Sequence, residues 1–162
     1  METAYIASGC FWGTQYFMSR LAGVRETFVG FMGGSVENPT YKEVKTGETG
    51  HIETVKVLFD PAETSYEEVL KMYFETHDFT QTDGQGIDIG SQYLSAIFYL
   101  SDEQRATAEA LIAELTAMGY AVATQLRPAE NFWMAEDYHQ NYLDLRKETP
   151  ECHVYKAVFR KK

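Results

Sequence analysis

Thr3-Ala4-Tyr5-Ile6-Ala7-Ser8-Gly9-Cys10-Phe11-Trp12-Gly13 carries an apolar stretch straight into a cysteine bracketed by two glycines. Thr3 to Ser8 reads as a strand. Phe11 to Leu21 has helical character, with Phe17, Met18 and Leu21 as its apolar positions. The cysteine thus sits where a strand turns into a helix. Unpaired N–H groups at a helix start favour a thiolate. Glycines on both sides allow a sharp turn and close approach by a substrate. The alternative is a buried structural cysteine among aromatics; the glycine bracket points to a nucleophile.

Outward from this stretch, strands and helices alternate with short links. Val24 to Phe31 reads as a strand stopped by Gly33-Gly34, and Asn38-Pro39-Thr40-Tyr41 as a turn leading into one helical turn that ends at Gly47. Ile52 to Phe59 is the clearest strand. Ser65 with Glu68, and Ser101 with Gln104, are capping-box signatures for two helices. Ala108, Leu111, Leu115 and Met118 give the second of these an apolar stripe, and Gly119 stops it. Asp78 to Gln92 is aperiodic and reads as a long functional loop. Tyr93 to Leu100, apolar on both parities, reads as a strand central in its sheet. Ala121 to Leu126 is a further expected strand and Ala135 to Leu145 a last helix. This order predicts an α+β fold, a two-layer sandwich. It is expected as one catalytic domain over residues 1–145, followed by a mobile C-terminal tail over 146–162.

A chain of 162 residues can bury a core without staples, and none of its apolar runs approaches the roughly 20 residues of a membrane span. Its net charge of −10 argues against nucleic-acid backbones and anionic lipid surfaces as partners. Met1 to Ser8 lack a basic region followed by a long apolar one, so no signal peptide is expected in the chain as given, a processed and removed leader aside; a cytoplasmic location is expected. There are two cysteines, Cys10 and Cys152, which are either incidental thiols or a working pair.

Glu53 shares its strand parity with Val55, Val57 and Phe59. A carboxyl on the core side is either a general acid with a raised pKa or a strand-end group that reaches water. Asp88 lies between Ile87 and Ile89 in a loop bracketed by Gly86 and Gly90, and Tyr93 follows. Polar groups in such loops work at sites or simply make turns. His51 and His139 are candidate bases or satisfied histidines. No Cys/His cluster has metal-site spacing, and there is no P-loop, GxGxxG, GxSxG or CxxC.

Together these residues resemble the A-type peptide methionine sulfoxide reductases. The likeness starts at Gly9-Cys10-Phe11-Trp12-Gly13 and continues through Gly30-Phe31-Met32-Gly33-Gly34, Asn38-Pro39-Thr40-Tyr41 and Thr49-Gly50-His51-Ile52-Glu53. It resumes over Gln85 to Tyr93 and Ala135 to Tyr142. The resemblance implies a ferredoxin-like core and the reduction of methionine-S-sulfoxide in proteins, peptides and the free amino acid. It implies Cys10 as nucleophile, and Glu53, Tyr41 and Tyr93 as hydrogen-bond partners of the sulfoxide oxygen. Phe11 and Trp12 would then form the methyl pocket, with Asp88 helping to hold the substrate and Asp137 and Tyr142 in supporting roles. The family usually carries Tyr where this chain has Phe31, and the multi-cysteine tail of some members is missing.

The chemistry expected is thiolate attack on a sulfoxide whose oxygen is protonated, leaving a sulfenic acid on Cys10. Cys152 would resolve it, and thioredoxin or a similar dithiol would reduce the disulfide. No metal or bound cofactor is expected, and the chain is expected to act as a monomer. Two other classes remain at this point: a Cys–His hydrolase or acyltransferase using His51 or His139 as base, and a non-catalytic ferredoxin-like binding module.

Overall fold

A computed structural model describes residues 1–150 and 153–159. Cys152, and the resolving role expected for it, lie outside the described residues. The chain runs through β1 (Glu2–Ser8), α1 (Phe11–Met18), β2 (Val24–Met32), α2 (Tyr41–Lys45), β3 (Ile52–Phe59) and α3 (Tyr66–Glu75). It continues through β4 (Gly84–Gln85), β5 (Asp88–Ile89), β6 (Ser95–Tyr99), α4 (Asp102–Ala117), β7 (Gln125–Pro128), β8 (Trp133–Met134) and α5 (Tyr142–Arg146).

The main sheet has the order β7-β6-β1-β3-β2-β8. β1 is antiparallel to both β3 and β6, and β2 is antiparallel to β3. β3 therefore lies between β1 and β2, the strands that α1 joins. In the same way β1 lies between β3 and β6, the strands on either side of α3. These two interleaved β-α-β units are the ferredoxin-like arrangement that the family resemblance implies, within the two-layer α+β sandwich expected from the order of elements. α4 then leads to β7, which pairs with β6 in parallel. The three long helices line one face of the sheet and enclose the main core, built around Phe11, Val55, Phe59, Leu70 and Ile97. On the other face a smaller cluster of Ala7, Met32, Ile52, Ala96 and Phe98 is covered by Phe132 and Ala129.

Local signals explain most boundaries. Ser65 Oγ accepts the Glu68 N–H at the start of α3. Ser101 Oγ accepts the Gln104 N–H at the start of α4, while Gln104 Oε1 takes the Leu100 N–H rather than that of Ser101. The reciprocal box forms instead at α2, where Thr40 and Glu43 cap each other.

Four expectations change. Tyr93 lies in a 3-10 turn over Ser91–Tyr93, and the strand begins only at Ser95, opposite Ser8 of β1. The strand expected over 121–126 forms at Gln125–Pro128, because its register is set by Ala96–Tyr99. Met118 stays exposed, since the helix ends at Gly119 with φ of +102°. The expected helix over 135–145 is broken into a 3-10 turn, Asp137–His139, and α5, separated at Asn141 with φ of +56°. The break has a cause on the sheet. The Gln140 amide accepts the Val29 N–H and donates to the Val29 and Ala135 carbonyls, standing in for a strand partner of β2.

The division at residue 145 falls one residue before the end of α5. Beyond it, the described residues 153–159 lie against the core. Lys156 N–H donates to the Glu75 carbonyl, and the Val158 and Phe159 N–H groups donate to Glu75 Oε2.

A buried polar network fastens α3 to β1 and β6. Tyr73 Oη contacts the Ala7 carbonyl at 2.9 Å and Ser95 Oγ at 2.7 Å. His77 Nδ1 faces the Tyr73 carbonyl, an acceptor, so the ring proton sits there and Nε2 accepts from Ser95. Burial lowers the His77 pKa to about 3, keeping the ring neutral. We expect Tyr73→Phe to lower unfolding stability by about 1–3 kcal/mol, read from the denaturant midpoint, because it strips a buried bond from Ser95.

Candidate active site

Cys10 ends the link from β1 and stands at the first position before α1. Its two glycine neighbours have distinct reasons. Gly9 has φ of +95°, and a Cβ there would meet the Gln85 side chain at 2.5 Å. At Gly13 a Cβ would come within 2.9 Å of three atoms of the His153 ring. The expected close approach at Gly13 is therefore made by the chain's own C-terminal segment.

Glu53 lies on β3, 2% exposed, with Oε1 accepting the Phe11 N–H at 3.1 Å. The core-side reading of its strand parity holds, and the strand-end alternative fails. Burial is the main cause that raises its pKa from 4.5 to about 8; the Asp88 charge adds to this, while the Phe11 N–H opposes it. A carboxyl so placed keeps its proton at neutral pH.

The helix start does not make Cys10 a resting thiolate. Burial pushes the thiol pKa up, and the charges of Glu53 and Asp88 push it further, against the lowering effect of the Trp12 and Gly13 N–H groups. Thiol and carboxyl each hold a proton, and loss of the Cys10 proton becomes easier the longer Glu53 stays neutral. Tyr41 and Tyr93 complete the group. Burial and then Glu53 raise both hydroxyls, that of Tyr93 to about 12, so both are donors at neutral pH.

A cleft of about 260 Å³ opens over the sulfur. Its walls include Trp12, Tyr41, Asp88, Tyr93, Tyr142 and Ile87. Trp12 stacks on Tyr142 with ring centres 3.7 Å apart and planes at 9°. Phe11 takes a different place from the one expected. It is fully buried, packed between Phe31 at 5.6 Å and Tyr41 at 6.2 Å, and backs the cleft without lining it. Asp88 is held by a small hairpin in which β4 pairs with β5, and Gln85 anchors that hairpin through two bonds to the Asp78 backbone.

The two candidate bases are engaged elsewhere. His51 Nδ1 accepts the Gly34 N–H, and its Nε2 lies 2.6 Å from the Val36 carbonyl. His139 Nδ1 accepts the Trp12 indole N–H at 3.1 Å. A Cys–His pair is thus not assembled from either residue.

Sequence reasoning missed His153. It is 3% exposed, and its Nε2 donates to the Ser8 carbonyl at 2.6 Å, just before the nucleophile loop. Together with Thr149 and Pro150 it also lines the cleft. No spacing rule links residue 153 to residue 13. The glycine at 13 was the available signal, since a missing side chain marks a place where something else must fit.

The profile of the family described as "Peptide methionine sulfoxide reductase" matches residues 2–162. A relative in Haloquadratum walsbyi, "Peptide methionine sulfoxide reductase MsrA", is 44% identical over 155 residues, covering 95% of this chain and 89% of the relative. Among solved structures, reduced Mxr1 from Saccharomyces cerevisiae aligns with a TM-score of 0.88 at 30% identity, over 96% of this chain and 92% of that one. Mxr1 in complex with Trx2 aligns with a TM-score of 0.63 at 20% identity, over 96% and 89%, a likeness of fold. With a buried protonated carboxyl behind a cleft cysteine and a family match along nearly its whole length, the chain belongs to the peptide methionine sulfoxide reductases.

Proposed function

We propose that the chain reduces methionine-S-sulfoxide in oxidised proteins, in peptides and as the free amino acid, with Cys10 as nucleophile and Glu53 as proton donor. The observation that carries this is the Glu53 carboxyl, 2% exposed and with a pKa raised to about 8, directly behind a cysteine in an aromatic cleft. Sulfoxide sulfur accepts a nucleophile only when its oxygen is protonated or hydrogen-bonded. Tyr41 and Tyr93 supply hydroxyl donors, whose bonds strengthen as charge builds on that oxygen. Trp12 takes the methyl group, and Asp88 holds the substrate from the loop side.

The atoms balance simply. Cys10 sulfur bonds to the substrate sulfur and gives up its proton as Glu53 gives its own to the oxygen; the hydroxyl then passes to Cys10 while the S–S bond and the substrate's S–O bond break, methionine leaves, and the proton released by Cys10 restores the Glu53 carboxyl. The product on the enzyme is a sulfenic acid. Cys152 resolves it as a disulfide, and thioredoxin reduces that disulfide; the complex of the yeast relative with Trx2 supports this choice of reductant. The same reading has the protein act as a monomer in the cytoplasm without a nucleic-acid or membrane partner, which suits its net charge of −10. Among the described residues no helix is long and apolar enough to cross a membrane. The division into a catalytic body (1–145) and a tail (146–162) that brings Cys152 to Cys10 belongs to this proposal.

Reduction of a methionine-sulfoxide peptide with dithiothreitol is the direct test. Cys10→Ser should lower single-turnover release of methionine by at least about a thousandfold while the fold survives; activity near the parent's would overturn the proposal. Glu53→Gln, which keeps a donor but cannot release a proton, should lose about a hundredfold or more, and Glu53→Ala more still.

A second check concerns pH and stability. Because the folded state holds a proton on Glu53 that the unfolded state releases, raising the pH from 4.5 to about 8 draws stability from the parent. Glu53→Gln has no such proton. Its melting temperature relative to the parent should therefore climb across that window and level off above it.

Cys152→Ser separates the half-reactions. One methionine per enzyme should still be released in the first turnover, and later turnovers with thioredoxin should slow sharply. Unchanged steady-state turnover would leave Cys10 to be reduced directly by the external thiol.

A further inference from the structure

The Trp12 indole has one polar atom, the Nε1–H, and it can only donate. It points at His139 Nδ1, 3.1 Å away. His139 must therefore accept at Nδ1 and carry its proton on Nε2. That second nitrogen is buried with no partner at hydrogen-bond distance; the nearest charge is Glu136 Oε2 at 3.8 Å. The ring is 1% exposed and sits between the walls of the cleft, 4.3 Å from the Tyr41 ring and 5.8 Å from that of Trp12. Glu136 also accepts the Tyr41 N–H through Oε1, so one carboxylate is linked to both walls.

We propose that His139, oriented by Glu136, is a positioning residue that fixes the Trp12 and Tyr41 rings for sulfoxide binding, and that it does so only as the neutral tautomer. This rests on the reading of Trp12 as the wall for the sulfoxide's methyl group. A protonated His139 would carry N–H on both nitrogens, setting two donors face to face at Trp12. The bond would break and the indole would be free to turn about its stack on Tyr142. The charged or titratable groups around the ring are Glu136, Tyr41 and Tyr138. Burial lowers the His139 pKa below 6.5 against the pull of Glu136, so the neutral form prevails at pH 7. Substrate affinity should accordingly fall on acidification, and independently of the Glu53 proton.

The experiment pairs kinetics with NMR on the full chain. His139→Leu removes the acceptor and should raise KM for methionine sulfoxide about five- to tenfold with kcat within about twofold. His139→Asn places an oxygen near the former Nδ1 and should bring KM back to within about twofold of the parent. In the ¹⁵N-labelled parent, Trp12 and Trp133 give the only two indole N–H signals, assigned with Trp133→Phe. The Trp12 signal should move on acidification, with a midpoint below 6.5 that matches the rise in KM, and neither change should occur in His139→Asn. An unchanged KM in His139→Leu, or a Trp12 signal that stays fixed while KM rises, overturns the inference. If His139→Leu does not fold, the parent titration against His139→Asn decides. If the parent reduces no sulfoxide, the proposed function fails instead, and the indole titration still decides whether His139 holds Trp12.

Discussion

The site is organised by one buried bond, from the Phe11 N–H at the start of α1 to the Glu53 carboxyl on β3. A carboxyl enclosed by strands and aromatic rings cannot ionise cheaply, so it keeps its proton. In the proposed reaction that proton activates the sulfoxide. The same burial keeps Cys10 a thiol, and the cysteine and the acid are coupled because each charge opposes the other. Both groups therefore hold their protons at neutral pH, the state on which the proposed reaction depends.

Aromatic packing does the rest of the positioning. Phe11, Trp12, Tyr41, Tyr142 and His139 form a continuous set of ring contacts from the core to the cleft mouth. Such ring pairs favour offset-stacked and edge-to-face arrangements, so each ring constrains the orientation of its neighbours. The described histidines are likewise committed. His51, His77, His139 and His153 are buried and bonded to groups inside the protein, and burial lowers the pKa values of His77, His139 and His153, which favours their neutral form.

The C-terminal segment joins the site from outside the two-layer core. Glu75 at the end of α3 gathers three N–H groups from residues 156–159, through its carbonyl and one carboxylate oxygen. His153 seats its ring on Gly13. These are two anchors on either side of a short stretch. They make the wall of the cleft near Cys10 partly a product of residues far away in sequence.

The sequence by itself determined the order and nature of the main elements, because their signals are local. Strand parity in Ile52–Phe59 sent Glu53 inward, and the serine caps opened α3 and α4 where the apolar spacing begins. The glycine bracket placed Cys10 at a strand-to-helix turn, and the ordered blocks around it identified the chemistry. What only the tertiary structure decided are the features that depend on distant partners. β7 takes its register from β6, and the 135–145 segment breaks because Gln140 is needed at the edge of β2. Phe11 backs the cleft without lining it, and His153 fills the gap at Gly13. The charge states belong to this second group as well. A helix start favours a thiolate, but how deeply Cys10 is buried, and how near Glu53 and Asp88 lie, reverses that preference. Desolvation and proximity are properties of the folded interior, where neighbours come together that no window of sequence contains.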